Sequence, residues 1–153
     1  MRFLGNIEAK TDTKGRAFLP ASFRRVLTAS GEDTLVLRQD VFENLLVLYP
    51  QRVWNQLMDD MRSRLSRWDR KQQMAFRTLV SSVMELSIDG NGRILFPRNY
   101  LDAIGVVQKI RFVGMGDTIE VWPNEDNSPS PIMDKQAFGQ ILEQQTEAAQ
   151  EQS

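Results

Sequence analysis

A chain of 153 residues with a formal net charge of −1 suits one compact domain or two small fused repeats. It has no cysteine, which excludes a disulfide framework and thiolate metal sites, and no histidine, which removes the commonest general base and metal ligand. No apolar run approaches the roughly 20 residues of a membrane span and no signal-peptide pattern opens the chain, so a soluble, cytoplasmic protein is expected. No metal, cofactor or small-molecule substrate is expected either.

Residues 1–5 open apolar and read as a short strand or arm. Residues 7–10 lead into Asp12-Thr13-Lys14-Gly15-Arg16-Ala17-Phe18-Leu19-Pro20. In this D-x-x-G-R-x-x-x-P pattern the carboxylate can accept backbone N–H bonds inside a turn, while glycine takes a positive φ at little steric cost. Asp12 and Gly15 are therefore structural. Apolar residues on both sides make the turn the tip of a β-hairpin or a bulged strand connection. Pro20 ends the outgoing strand and can open a helix at its first position. Arg16 projects from that strand, and two roles are open to it. It can pair with Asp12 and stiffen the turn, or present its guanidinium to a phosphate or a guanine edge.

Residues 22–29 form a short helix, with Phe23, Val26 and Leu27 on one face and Arg24 and Arg25 pointing away from it. Strands follow at 34–38 and 45–49. Residues 51–82 differ in kind. Trp54, Leu57, Met58, Met61 and Leu65 keep helical spacing. A second helix, capped by Asp69 with Gln72 as its capping-box partner, carries Phe76, Leu79, Val80 and Val83 on one stripe. Arg62, Arg64, Arg67, Arg70 and Lys71 form the densest basic cluster. Asp59 and Asp60 stand three and four residues before Arg62 and Arg64, so the cluster reads as a solvated helix face rather than a primary DNA surface.

The motif then returns as Asp89-Gly90-Asn91-Gly92-Arg93-Ile94-Leu95-Phe96-Pro97, with aspartate, glycine, arginine and proline at the same spacing. Asp89 and Gly92 repeat the structural pair, and Arg93 the projecting arginine. Glu85 echoes Glu8, Tyr100 echoes Phe23, and each copy ends in an apolar strand closed by Pro50 or Pro123. A duplicated unit therefore sets the architecture. The first repeat spans 1–50, a two-helix connector 51–82 and the second repeat 83–123. Units of about 40 residues are near the limit for burying a core alone, so the two should share one. In the second copy a helix at 98–104 ends at Gly105, and strands at 109–113 and 118–122 flank Gly114-Met115-Gly116-Asp117. That G-x-G is a hairpin turn in preference to a phosphate cradle. Residues 124–153 read as a polar linker, a short amphipathic helix at 132–142, and a frayed or disordered tail from Glu143.

Charge divides unevenly along the chain. Residues 1–80 hold 14 Lys/Arg against 9 Asp/Glu, and residues 81–153 hold 5 against 11. Such asymmetry fits a basic face on the first repeat and an acidic tail.

The two D-x-x-G-R motifs, the opening Arg2-Phe3-Leu4-Gly5, the strand Leu46-Val47-Leu48-Tyr49-Pro50 and the helical connector resemble the MraZ family of bacterial transcriptional regulators over about residues 1–125. The resemblance implies an α+β, mostly β fold: tandem AbrB-like swapped-hairpin repeats forming an intramolecular pseudo-dimer barrel. It also implies a nucleoid-associated, non-enzymatic regulator, generally a repressor, assembled as a ring of several protomers. Such a ring would bind double-stranded promoter DNA at short direct repeats before its own division and cell-wall gene cluster. The family's arginines correspond to Arg16 and Arg93, with the DNA role falling most clearly on Arg16.

The copies are unequal: Lys14 becomes Asn91, and Arg24 and Arg25 become Leu101 and Asp102. Lys14, Arg16, Arg24 and Arg25 are thus the expected DNA contacts, with Arg93 partly structural or a weaker contact. Two other classes compete. One is an AbrB-like antitoxin that grips a protein through the second repeat or the tail. The other is an enzyme using Asp12, Asp89, Glu8 or Glu85, for which no convergent polar pocket is evident.

Overall fold

Apolar stretches bounded by turn residues become strands, and the stretches with helical spacing become helices. The computed structural model describes residues 1–152, without the side chains of 151 and 152. The first repeat contributes β1 (Asn6–Lys10), β2 (Arg16–Phe18), α1 (Ala21–Ala29), β3 (Thr34–Gln39) and β4 (Leu46–Pro50). The connector is α2 (Gln51–Arg64) and α3 (Arg70–Ser81). The second repeat adds β5 (Met84–Ser87), β6 (Arg93–Leu95), α4 (Arg98–Ala103), β7 (Lys109–Gly114) and β8 (Ile119–Pro123), and α5 (Lys135–Gln152) follows.

The repeats exchange strands. The main sheet has the order β1-β7-β8-β4-β3-β5, so β1 of the first repeat pairs with β7 of the second, while β5 pairs with β3. The closing strands β4 and β8 meet in the middle. The remaining strands, β2 and β6, pair only with each other, in the register Arg16 to Leu95, Ala17 to Ile94 and Phe18 to Arg93. Every pairing is antiparallel. Neither repeat keeps all of its strand hydrogen bonds to itself, which accounts for how two such short units make one core.

Two expectations change here. The six-stranded sheet is open and not a closed barrel: β1 and β5 are its edges, and the three-residue ribbon strands leave it to pair separately. Both edges carry charge, Glu8 and Lys10 on β1 and Glu85 on β5, which discourages pairing with another sheet. Nor do β1 and β2 form a hairpin about the motif turn. The turn hands the chain from the main sheet to the ribbon.

The alternating side chains of the sheet feed two cores. One face packs Leu35, Leu37, Leu46, Leu48, Ile110, Phe112, Ile119 and Val121 against Ala17 and Ile94 of the ribbon, and Phe23, Leu27 and Leu101 of α1 and α4. Val36, Val47, Tyr49, Val113 and Trp122 form a second cluster with Trp54 of α2, against which Leu79 of α3 also packs. Ribbon and connector therefore lie on opposite faces of the sheet. Phe3 closes the first core: it is fully buried, meets Phe23 edge-on at 5.5 Å, and its backbone bridges to Gly116. That arm passes so close to Gly114 that any side chain there would strike the Phe3 backbone, an additional demand on the G-x-G turn.

Helix ends follow local chemistry. Pro20, Pro50 and Pro97 occupy the N-cap positions of α1, α2 and α4, one residue earlier than the first-turn placement expected for Pro20 and Pro97. Asp69 caps α3 by accepting from the Gln72 amide at 3.0 Å. The reciprocal half of the capping box is not made, because Gln72 Oε1 accepts from the Ser66 amide instead. α5 runs on to Gln152 through the stretch read as a frayed tail, which starts at Glu143. Its Ala, Glu and Gln residues are good helix formers and need no packing partner to favour that geometry. No helix among the described residues is long and apolar enough to cross a membrane.

Candidate nucleic-acid interface

Each motif turn is built around its aspartate. The Asp12 carboxylate accepts from the backbone amides of Lys14 and Arg16, both at 2.9 Å, and from Arg16 Nε at 2.7 Å. Asp89 accepts from the amides of Asn91 and Arg93, both at 2.9 Å, and from Arg93 Nε at 3.0 Å. Backbone bonds repeat as well: Asp12 N–H donates to Arg16 O and Gly15 N–H to Asp12 O, with Asp89, Arg93 and Gly92 in the same parts. Gly15 and Gly92 hold φ of +91° and +82°, the left-handed region that closes the turn. These bonds favour the ionised carboxylate. The Arg16 amide, then its side chain and the Lys14 amide, hold Asp12 below its ordinary pKa, and the Arg93 amide leads the same effect on Asp89.

The two turns are laced to each other. Leu19 N–H donates to Gly92 O at 3.0 Å, and Phe96 N–H donates to Gly15 O at 2.9 Å. The helix of each repeat also reaches the other's turn glycine. Leu101 of α4 packs beside Gly15, and Arg24 of α1 lies across Gly92 while its Nη1 donates to Asn91 O at 3.3 Å.

Side chains alternate across the ribbon. Ala17 and Ile94 point into the core, so Arg16, Phe18, Arg93 and Leu95 share the outer face. Phe18 and Leu95 stand 61% and 51% exposed there, and the Arg93 guanidinium sits 6.0 Å from the Phe18 ring centre. The two readings of the arginines need not exclude each other. Asp12 and Asp89 engage only Nε, and the terminal nitrogens of Arg16 and Arg93 make no hydrogen bond to the described residues. A guanidinium gripped at Nε has a fixed plane. It can still offer a forked pair of donors to a phosphate or to guanine O6 and N7.

Of the remaining expected contacts, Lys14 is exposed at the first turn, and Asn91 takes its place at the second. Arg25 is exposed on α1. Arg24 is half-buried and turned inward to the second motif, away from the solvent position its helix face suggested. The outer-face placement of Phe18 and Leu95 was missed by the motif reading. The alternation R-x-F and R-x-L, which puts each apolar residue beside its arginine, is the signal that finds it.

Away from the ribbon, Glu125 Oε1 accepts from the amides of Val107, Gln108 and Lys109 at 3.0, 2.8 and 2.9 Å, which keeps its carboxyl below the usual range and ties the linker to the start of β7. Beyond the sheet, α3 and the loop after β3 border an apolar groove of about 430 Å³ with Arg38 and Lys71 among its lining residues, and Trp68 stands almost fully exposed at the α2–α3 turn.

A family model described as "MraZ protein, putative antitoxin-like" matches twice, at residues 2–78 and 79–127. A transcriptional regulator MraZ of Bacteroides fragilis is 49% identical over 144 residues, 94% of this chain and 90% of the relative. One from Phocaeicola vulgatus is also 49% identical, over 94% of this chain and 93% of the relative. One from Stenotrophomonas maltophilia is 33% identical over 124 residues, 80% of this chain and 83% of the relative.

Proposed function

This chain belongs to the MraZ family, and we propose that it is a transcriptional regulator that binds promoter DNA through the outer face of the β2–β6 ribbon. The observation that carries the reading is the pair of Asp-held arginines on one outer ribbon face, each with terminal nitrogens that make no hydrogen bond to the described residues. In this reading Arg16 and Arg93 enter the groove, Lys14 and Arg25 neutralise phosphates, and Phe18 and Leu95 supply apolar contact such as a thymine methyl would take. A two-stranded ribbon is a known means of reading a major groove.

One ribbon covers few base pairs. Specificity then requires several copies along short direct repeats, so we assign the protein a ring of several protomers and a repressor's role at its own promoter, on the nucleoid, with the repeats at 1–50 and 83–123 as its working halves. Linking weak sites in this way raises avidity without new contacts. A second reading, a protein partner held on the far side of the sheet, is favoured by the apolar groove beside α3 and the exposed Trp68.

The experiment is binding of wild type and Arg16→Ala to the upstream duplex and to a scrambled one across a salt series, with the mutant sized in parallel. Specific binding by wild type, lost in a mutant of unchanged size and falling steeply with salt, supports the DNA reading. Persistence in the mutant removes Arg16 from the contact and leaves it to the Asp12 pair. Failure of wild type on both duplexes brings the protein-partner reading forward.

A further inference from the structure

We propose that Arg24 is a positioning residue for the second half of this site: carried on α1 of the first repeat, it holds the turn of the second repeat and thereby sets the direction in which Arg93 faces DNA. The inference rests on the ribbon-face reading above for its consequence, and on the fold alone for its geometry.

Asn91 and Gly92 are the last two residues of the Asp89 turn before Arg93, so their placement fixes where the Arg93 side chain leaves the backbone. Arg24 touches both. Its Nη1 donates to the Asn91 carbonyl at 3.3 Å, and a Cβ built on Gly92 would land on the Arg24 guanidinium and Cδ. The Arg24 side chain therefore occupies the space that a side chain at position 92 would need.

The same station in the other repeat shows what the contact is for. There Leu101, fully buried on α4, packs against Gly15 beside the Phe96 carbonyl. Helix position and turn glycine are the same in both copies, but the chemistry differs. The first turn is backed by close apolar packing, and the second by one long cation beside a cavity of about 420 Å³. Glu32, Asp33 and Asp89 also line that cavity. This acidic setting suits a guanidinium kept on its own protein and repels a phosphate. A charge that the motif reading assigns to DNA is thus spent on holding the arginine that reads it.

The test uses the full chain with Arg24→Ala, Arg24→Lys and, to show what loss of a phosphate contact does to the salt slope, Arg25→Ala. In the free protein, amide and Arg Nε resonances report the turns directly. Arg24→Ala should shift Asn91, Gly92 and Arg93 and leave Gly15 and Arg16 in place. On DNA, affinity for the specific duplex should fall about tenfold while non-specific affinity holds. The slope of log K against log salt should stay unchanged, because no phosphate contact is removed. Arg24→Lys keeps the charge but not the plane, so it should not restore specific binding.

A slope reduced by about one in Arg24→Ala, with turn resonances unmoved and binding rescued by lysine, would make Arg24 a phosphate contact and overturn the proposal. So would displaced turn resonances with specific binding intact. If wild type binds no DNA, the ribbon-face reading and the DNA consequence fall together. Unmoved resonances in Arg24→Ala would separately remove the geometric claim.

Discussion

The Phe96 amide donates to the Gly15 carbonyl at 2.9 Å, fastening the end of the second repeat's ribbon strand to the turn of the first. Leu19 and Gly92 return the same bond from the other side. The arginines of the two motifs consequently sit on one rigid surface, although the chain places them far apart in sequence. This crossing gives the following expectations their direction.

Arg16→Ala should leave the fold intact, since the residue is partly exposed and its backbone stays paired with Leu95. Removing a forked donor from a base edge should cost about 1–3 kcal/mol of specific binding. Titrating specific and scrambled duplexes in parallel checks this. A uniform loss on both duplexes would mean that Arg16 touches only phosphates.

Gly15→Ala should destabilise more than Gly92→Ala. Both place a side chain at positive φ, a cost of roughly 1–2 kcal/mol. At Gly15 the new methyl also meets the Phe96 carbonyl, a backbone group that cannot swing aside as a side chain can. At Gly92 it meets only the flexible end of Arg24. Urea denaturation of the two variants should rank them, and equal losses would contradict the backbone-contact argument.

Acid should weaken the fold through Asp12, Asp89 and Glu125. Their carboxyls are held below ordinary values of 3.8, 3.8 and 4.5 by backbone donors. Each binds its proton less readily folded than unfolded. The stability each contributes is therefore fully present above the unfolded pKa and is lost as pH falls through the lower folded value. Tm should hold down to the upper edge of that carboxylate range and decline beneath it. In a chain carrying Asp12→Asn and Asp89→Asn the decline should be shallower. An unaltered acid limb would assign it to other groups.

Phe3→Ala should cost about 3–5 kcal/mol, because a fully buried aromatic that seals the first core leaves a cavity behind. Asp69→Ala, by contrast, removes one capping bond and should cost about 1 kcal/mol. Chemical denaturation measures both. A mild Phe3→Ala would mean that the N-terminal arm is dispensable to the core.

Much of the local structure was legible from the chain. The Asp-x-x-Gly-Arg turns, the Asp69 cap and the helical stripes of the connector depend on residues within a few positions of one another. Their hydrogen bonds follow from side-chain chemistry and spacing, and the repeat itself announced that the turn would be built twice. The half of α5 from Glu143 onward looks like a tail in sequence because its Gln, Glu and Ala residues carry no apolar stripe, although they favour helix.

Tertiary structure decided the rest. Which strand β2 would pair with, whether the sheet would close, and where Arg24 would point all depend on contacts between residues from different repeats. Two units built on the same motif offer each strand a partner in its own copy and an equivalent one in the other, and the motif reads the same in either case. Shared burial resolves that choice. By exchanging strands, the repeats build one core on one face of β4 where each alone would be too small, while the connector covers the other face. Once the ribbon is formed across the copies, the outer face follows from alternation, and Arg24 is carried onto Gly92 by the helix that the exchange brings beside it.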